Sequence, residues 1–309
     1  LNKMSSTVPA EWRDIAAMNL SLMLHHRSKY GKDDPTGHLS SVVGISYPTN
    51  NRCVSVGKDG TIVKSFRPFG TSIKRMKGSH GIIKCVDFSP DSKSFATVDD
   101  NNDIILWHAS SGEKIRKLVR FQHVVSSIAF SHDGHLLLVG KKNGNVSLYK
   151  VLNGEKLREF KSNRKPLVIV EMSPDGLNAT AGYADGIVQM WDISSGRLIR
   201  QFTGRSVAAN DIAIFSTGRN IVSAHNDGTL KLWDVLTGEQ RLVYRGHTDS
   251  ATSVSLSPDR RTIASGSDDG NIILWDIATG KKDKIINAHD PGVVCVKYSP
   301  NGNYIFSAG

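Results

Sequence analysis

Cysteine and aromatic residues are scarce in this 309-residue chain, and no apolar run approaches the length of a membrane span. Three cysteines, Cys53, Cys85 and Cys295, are too few and too scattered for a disulfide framework or a cysteine-based zinc site. The apolar stretch 18–24 is interrupted by polar residues, and it resembles neither a membrane helix nor a signal peptide. The sequence therefore predicts a protein of a reducing, intracellular compartment, either cytoplasmic or nuclear, that does not enter a membrane.

Motifs for catalysis or cofactor binding are also missing. The chain has no phosphate loop, no Gly-x-Ser-x-Gly motif, no carboxylate dyad and no paired metal-ligand spacing. The segment 279–282, Thr-Gly-Lys-Lys, resembles the end of a phosphate loop but lacks the upstream glycine, so a turn is predicted there. We therefore expect a protein that is not an enzyme, with no catalytic, cofactor-binding or metal-binding residues, no cofactor and no small-molecule substrate.

Positive charge is concentrated in one part of the chain. The net charge is +10, and residues 39–150 carry 16 basic against 8 acidic side chains, whereas residues 151–309 carry 18 against 17. An excess of this size is typical of a solvated lysine-rich surface, but it also suits a patch that binds nucleic acid or an acidic protein. Both interpretations stay open at this point.

A repeat of 42 residues runs through most of the sequence. It is marked by five aromatic residues at this spacing, Trp107, Tyr149, Trp191, Trp233 and Trp275. Short runs of β-branched and aliphatic residues precede these aromatics, and such runs are typical of β-strands. They are too short for helices.

Each repeat also contains three turn sequences. An Asp-Gly or Asn-Gly dipeptide lies about five residues before most of the aromatics and predicts a tight hairpin turn. These dipeptides begin at residues 59, 143, 185, 227 and 269. A second turn, of the Ser-Pro-Asp type, precedes the dipeptide, and a third turn that ends in glycine follows the aromatic. Three turns in 42 residues predict four short antiparallel strands per repeat.

The repeat resembles the WD-repeat β-propeller family over about residues 37–309. Trp-Asp stands at 191–192, 233–234 and 275–276, and Gly-His stands at 37–38 and 246–247. The resemblance implies an all-β, seven-bladed propeller whose blades begin near residues 39, 81, 124, 167, 207, 248 and 290. It also implies a structural hydrogen-bonded tetrad of His247, Ser265, Asp269 and Trp275. Blades four and five lack the histidine, so their networks are expected to be incomplete.

The seventh repeat stops after its second strand, so either the chain is a piece of a longer protein or another segment supplies the missing strands. Residues 19–23 align with 271–275, so residues 19–36 are predicted to complete the last blade as its third and fourth strands. A helix over residues 10–26 is the competing interpretation, because Pro9 favours a first helical turn and the apolar spacing is amphipathic. The predicted organisation is an N-terminal extension, 1–18, helical over 10–16, followed by the propeller, 19–309.

One face of the predicted propeller carries basic residues on some blades and acidic residues on the others. In the family, the loops between blades and the loops between second and third strands form the usual docking face. On blades three to five this face carries the basic residues Lys141, Lys142, Arg164, Lys165 and Arg205. On blades two, six and seven it carries Asp99, Asp100, Asp103, Asp249, Asp268 and Asp290.

The resemblance and the basic residues together predict a function in binding. We expect a noncatalytic protein-protein interaction scaffold, a subunit or adaptor of a larger assembly, whose partner lays an acidic segment across the five basic residues. The alternative is an RNA-associated or ribonucleoprotein-associated propeller that uses the basic surface of the early and middle blades. With only 7% aromatic residues, few side chains are left for base stacking, so a protein partner is predicted ahead of a nucleic acid.

Overall fold

The computed structural model describes residues 18–19, 40–49, 52–66, 74–77, 81–164, 166–203 and 207–309. Regular structure in these ranges is entirely β, so none of them contains a helix of membrane-spanning length. In chain order the strands are β1 (Met18–Asn19), β2 (Val42–Thr49), β3 (Arg52–Gly57), β4 (Thr61–Phe66), β5 (Lys74–Lys77), β6 (Ile83–Phe88), β7 (Ser94–Asp99), β8 (Asp103–His108), β9 (Lys114–Arg120), β10 (Val125–Phe130), β11 (Leu136–Lys141), β12 (Val146–Lys150), β13 (Lys156–Phe160), β14 (Leu167–Met172), β15 (Asn178–Tyr183), β16 (Val188–Asp192), β17 (Leu198–Phe202), β18 (Ala209–Ile214), β19 (Asn220–His225), β20 (Leu230–Asp234), β21 (Gln240–Tyr244), β22 (Ala251–Leu256), β23 (Thr262–Ser267), β24 (Asn271–Asp276), β25 (Lys282–Asn287), β26 (Cys295–Tyr298) and β27 (Ile305–Ala308).

The strands form six sheets of four consecutive antiparallel strands and one sheet of three strands. Blades 1 to 6 are β2–β5, β6–β9, β10–β13, β14–β17, β18–β21 and β22–β25, and the three-stranded sheet has the order β1-β27-β26. The first strand of each blade contacts the first strand of the next, and β26 contacts both β22 and β2. The architecture is therefore a β-propeller, as the repeat predicts.

The Asp-Gly and Asn-Gly turns link the second and third strands of their blades. Gly144 has a φ of 100° and Gly270 a φ of 81°, values that side-chain-bearing residues rarely adopt. A Cβ at Gly144 would also clash with the carbonyl oxygen of Arg164, and one at Gly270 with that of His289. Glycine is therefore required both by the turn and by the close approach of the next loop.

The hydrophobic core lies between neighbouring blades. Trp191 of blade 4 packs on Phe160 of blade 3 with ring centroids 5.9 Å apart, and Trp233 of blade 5 packs on Phe202 of blade 4 at the same distance. Both tryptophans are buried, as expected for the aromatic residues that mark the 42-residue repeat. A single blade cannot bury these rings alone, so the repeats stabilise one another.

Near the axis, polar side chains of one first strand accept hydrogen bonds from the next first strand. Asp87 accepts from the backbone N–H of Phe130 at 2.7 Å, and Ser127 accepts from that of Val170 at 3.2 Å. The same spacing of 43 residues recurs in three further pairs: Asp211 with Val254, Ser253 with Val296, and Ser255 with Tyr298. These bonds join successive sheets that share no backbone ladder.

At the rim, arginines of the outer strands join blades 2 to 5. Arg116 donates to the carbonyl of Val151 at 2.8 Å, and Arg158 donates to that of Ser194 at 2.7 Å. Arg200 donates to the carbonyl of Val235 at 3.0 Å. Each guanidinium thus reaches the turn between the third and fourth strands of the following blade.

The N-terminal segment departs from its predicted place in the three-stranded sheet. Met18 and Asn19 pair with Phe306 and Ser307 in parallel, whereas the alignment of 19–23 with 271–275 predicts an antiparallel third strand. The parallel direction is possible because this segment does not reach β27 through a hairpin. The predicted helix over 10–16 and the predicted strands beyond Asn19, up to residue 36, lie outside the described residues.

Candidate functional site

The tetrad residues of blade 6 are joined by hydrogen bonds. His247 Nδ1 lies 3.0 Å from Asp269 Oδ2, and His247 Nε2 lies 2.7 Å from Ser265 Oγ. Trp275 Nε1 donates to Ser265 Oγ at 2.8 Å. A carboxylate can only accept, so Nδ1 carries the proton and Nε2 accepts from the serine hydroxyl.

The electrostatics of this network favour a neutral imidazole beside a charged carboxylate. Burial lowers the pKa of His247, although Asp269 opposes that shift. Burial alone would raise the pKa of Asp269, but hydrogen bonds from the backbone N–H groups of Thr248 and Asn271 outweigh it and lower the pKa. The network therefore joins the loop before β22 to the second and third strands of blade 6, with a neutral imidazole as its central group.

Blade 5 lacks the histidine before its first strand, as the sequence predicts, but it contains a different histidine network that the sequence analysis missed. His225, on the second strand itself, brings Nε2 to 2.7 Å from Ser223 Oγ and Nδ1 to 3.0 Å from the carbonyl of Val207. Ser223 Oγ accepts from Trp233 Nε1 at 2.8 Å. The histidine comes from a strand instead of a loop, and a backbone carbonyl replaces the carboxylate.

Other sheets retain only parts of the network. In blade 2, Trp107 Nε1 donates to Thr97 Oγ1 at 2.8 Å. In blade 4, Ala181 occupies the place of the serine, so no hydroxyl is available there. In the three-stranded sheet, His289 Nε2 lies 2.9 Å from Ser307 Oγ.

A cluster of ionisable side chains lies near the axis of the ring. Asp87, Glu171 and Lys297 occupy equivalent positions on the first strands β6, β14 and β26, and Asp211 lies on β18. Burial raises the pKa of Asp87 to about 6 and that of Glu171 to about 8. Desolvation near the axis would lower the pKa of Lys297, although its side chain keeps access to solvent. Asp211, Cys295, Glu171 and Asp87 outweigh this effect and raise the pKa.

We predict that Glu171 makes the stability of the protein depend on pH. Its carboxyl binds a proton in the folded state between its ordinary pKa and about 8, so stability falls as the pH rises through this window. Glu171→Gln should remove this loss and raise the free energy of unfolding at pH 8.5 by about 1–3 kcal/mol, with little gain at pH 5. Urea unfolding at both pH values measures the difference.

The control for this measurement is Glu239→Gln, which removes an exposed carboxylate. Asp87, Asp211 and Lys297 remain in place in both variants. Curves of stability against pH that run parallel for wild type and Glu171→Gln would contradict the prediction.

The predicted basic surface is smaller than expected, and Lys141 does not belong to it. Lys141 lies at the end of β11, its side chain is only 7% exposed, and its Nζ is 2.8 Å from Glu159 Oε1. Lys141 and Lys156 together lower the pKa of Glu159 to about 2. The sequence analysis misplaced Lys141 because it treated it as a turn residue, whereas the strand carries the side chain into the sheet.

Two of the predicted basic residues are accessible at this face. Lys142 is exposed, and Arg164 is partly exposed with its Nη1 3.2 Å from Asp185 Oδ2. Lys142 lies in the turn between the second and third strands of blade 3, and Arg164 lies in the loop that enters blade 4. Lys165 and Arg205 lie outside the described residues.

Fewer acidic residues than predicted are exposed on the acidic half of this face. Asp99 is buried, where its carboxylate accepts from the backbone N–H groups of Asn101 and Asp103. Asp103 pairs with Lys117 at 2.6 Å. Asp100, Asp249, Asp268 and Asp290 remain exposed. Burial and the charges of Asp249 and Asp269 raise the pKa of Asp268, so acidic groups are close together at blade 6.

The described residues contain no group of three or more His, Cys, Asp or Glu side chains arranged to hold a metal ion. Cys85 and Cys295 are free thiols on β6 and β26. Burial raises the pKa of Cys85 to about 12, and burial also raises that of Cys295. Both thiols are therefore poor nucleophiles.

Comparison with protein families finds two matches. The family described as WD domain, G-beta repeat, matches residues 70–108, 196–234, 238–276 and 280–309. The family described as Anaphase-promoting complex subunit 4 WD40 domain matches residues 119–173. No curated protein sequence matches the chain.

Proposed function

The chain belongs to the WD-repeat family, and from this premise we propose that it is a noncatalytic scaffold for protein partners. The observation that carries the proposal is the separation of charge on one face, with Lys142 and Arg164 on blades 3 and 4 and Asp249 and Asp268 on blade 6. Such a surface selects partners by electrostatic complementarity.

We further propose that the propeller spans residues 19–309 and has seven blades, with β26 and β27 as the first two strands of the seventh. The contacts of β26 with β22 and β2 support this arrangement, because they put the three-stranded sheet between blades 6 and 1. The 42-residue spacing of His247 and His289 supports it as well.

The chain is proposed to act as a subunit or adaptor of a larger assembly. The name of the second matching family is that of a domain from a subunit of a complex, and the match covers blade 3 and the first strand of blade 4. A cytoplasmic or nuclear location agrees with this role.

We propose that an acidic segment of a partner contacts Lys142 and Arg164, with Lys165 and Arg205 extending the same surface. An exposed lysine supplies a point charge, and an arginine offers a planar fork to a carboxylate. Arg164 retains partial exposure beside Asp185, so part of its donor capacity remains for a partner.

A charge-reversal experiment tests this proposal. The double variant Lys142→Glu, Arg164→Glu should recover its native protein partners about tenfold less than wild type, since two attractive contacts become repulsive. The matched control is Lys93→Glu, Arg197→Glu, which reverses two exposed charges in turns at the opposite end of the sheets. Quantitative pull-down with mass spectrometry measures recovery, and an undiminished partner set for the first variant would overturn the proposal.

The alternative proposal is an RNA-associated propeller that uses the basic excess of residues 39–150. Binding driven by phosphates weakens steeply between about 50 and 200 mM salt, whereas a packed protein interface loses much less. A salt titration of the recovered complexes therefore separates the two functions.

A further inference from the structure

The residues immediately before the first strands of blades 2 to 6 occupy equivalent positions, and their side chains change from aliphatic to small or polar around the ring. They are Ile82, Val124, Pro166, Ala208 and Ser250, each 42 residues from the next. Ile82 is 49% exposed and Val124 is 41% exposed, and Pro166 is exposed as well. The face is therefore aliphatic at blades 2 to 4 and becomes small and polar at blades 5 and 6.

From blade 3 onward, a backbone hydrogen bond places a residue of the neighbouring turn beside each of these residues. The N–H of Lys142 donates to Val124 O at 2.9 Å, and that of Asp268 donates to Ser250 O at 2.9 Å. The corresponding donors in blades 4 and 5 are Ala184, to Pro166 at 3.0 Å, and Asn226, to Ala208 at 3.1 Å. We call these eight residues the turn ring.

The turn ring carries opposite charges at its two ends. Lys142 is exposed beside Val124 at blade 3, and Asp268 is exposed beside Ser250 at blade 6. Arg164 adds a positive charge near the first end, and Asp249 adds a negative charge near the second. Ala184, Ala208 and Asn226 are uncharged. Of the carboxylates beside them, Asp185 pairs with Arg164 at 3.2 Å, and Asp227 is exposed and extends the acidic end to blade 5.

Hydrogen bonds hold the acidic end in a fixed arrangement. Asn210 Nδ2 donates to Asn226 Oδ1 at 2.7 Å and to Ser250 Oγ at 3.0 Å. Ser250 Oγ in turn donates to Asn226 Oδ1 at 3.0 Å. The middle and the acidic end of the ring are thereby joined across blades 5 and 6, and a preformed surface binds with a smaller entropic cost.

We propose that the turn ring binds a protein segment of segregated charge: acidic at blades 3 and 4, aliphatic beside Val124 and Pro166, and basic at blade 6. Charge complementarity sets the orientation of the segment, and the aliphatic contact removes apolar surface from water. This inference rests on the proposed scaffold function, and it specifies the chemistry of the partner.

The test uses the purified full chain and three synthetic peptides of about 12 residues, roughly 40 Å when extended. The segregated peptide has a block of four Glu, a central Leu pair between serines and a block of four Lys. The alternating peptide has the same composition with Glu and Lys interleaved, and the third peptide has Lys blocks at both ends. Fluorescence anisotropy at about 150 mM salt, where long-range attraction is screened, measures the affinities.

Wild type should bind the segregated peptide at least tenfold more tightly than the alternating one. Lys142→Glu, Arg164→Glu makes both ends of the ring acidic, so this variant should prefer the peptide with two Lys blocks. Val124→Ser should weaken binding of the segregated peptide severalfold, whereas the control Lys93→Glu, Arg197→Glu should leave every affinity unchanged.

Equal wild-type affinity for the segregated and alternating peptides would overturn the inference. An unchanged preference in Lys142→Glu, Arg164→Glu would overturn it equally. Either result leaves the scaffold function standing if the pull-down still loses its partners in that double variant. An unaffected pull-down would instead refute the proposed contact of an acidic segment with Lys142 and Arg164.

Discussion

Trp275→Ala should lower the free energy of unfolding by about 3–5 kcal/mol. The indole is fully buried, and its ring centroid lies 5.8 Å from that of Tyr244 and 6.1 Å from that of His247. Truncation leaves a large cavity between blades 5 and 6 and removes the donor that Ser265 Oγ accepts from. Urea unfolding, with the slope and midpoint both fitted, measures the loss.

Trp275→Phe separates the two causes. It keeps an aromatic ring in the core but loses the N–H group, so it should cost clearly less than the alanine variant. An unchanged urea midpoint for Trp275→Ala would show that this residue does not hold the two blades together.

His225→Ala should cost about 2–4 kcal/mol, because it opens a cavity at a fully buried side chain and removes one hydrogen-bond partner from each of two polar groups. The buried Ser223 hydroxyl loses its acceptor, and the partly buried Val207 carbonyl loses its donor. The comparison variant is His132→Ala, at an exposed turn position, which should shift the urea midpoint little.

The cost of His225→Ala should also shrink in acid. Burial and Lys231 lower the pKa of His225 to about 4. Its imidazole binds fewer protons when folded than when unfolded, so its contribution to stability is lost as the pH falls from about 6.5 towards 4. A cost that stays constant over this range would contradict a buried neutral imidazole.

The repeat and its turns could be predicted from the sequence because their causes are local. The Asp-Gly and Asn-Gly dipeptides favour tight turns through their backbone conformation, and the short apolar runs before Trp191 and Trp233 favour strands between those turns. The hydrogen bonds of His247, Ser265, Asp269 and Trp275 follow from positions within one sheet, so a resemblance to other sequences was enough to assemble them.

The surface of the site was predicted only in part. Lys142 and Arg164 are accessible in loops of the expected face, whereas Lys141 is one residue earlier on a strand and pairs with Glu159. Side chains on a strand alternate between its two faces, so a shift of one residue decides between a solvent-exposed charge and a partly buried ion pair. Neither the composition nor the number of charged residues shows which of these two environments a lysine occupies.

By itself, the sequence determined the 42-residue period and the four-stranded unit, and its resemblance to the WD-repeat family implied the tetrad of blade 6. Only the tertiary structure decided that His225 forms a different network in blade 5, and that Asp87, Glu171, Asp211 and Lys297 share the axial region. The physical reason is distance along the chain. Turns and strands depend on neighbours a few residues away, whereas these groups meet because the closure of the ring brings together strands as far as 210 residues apart.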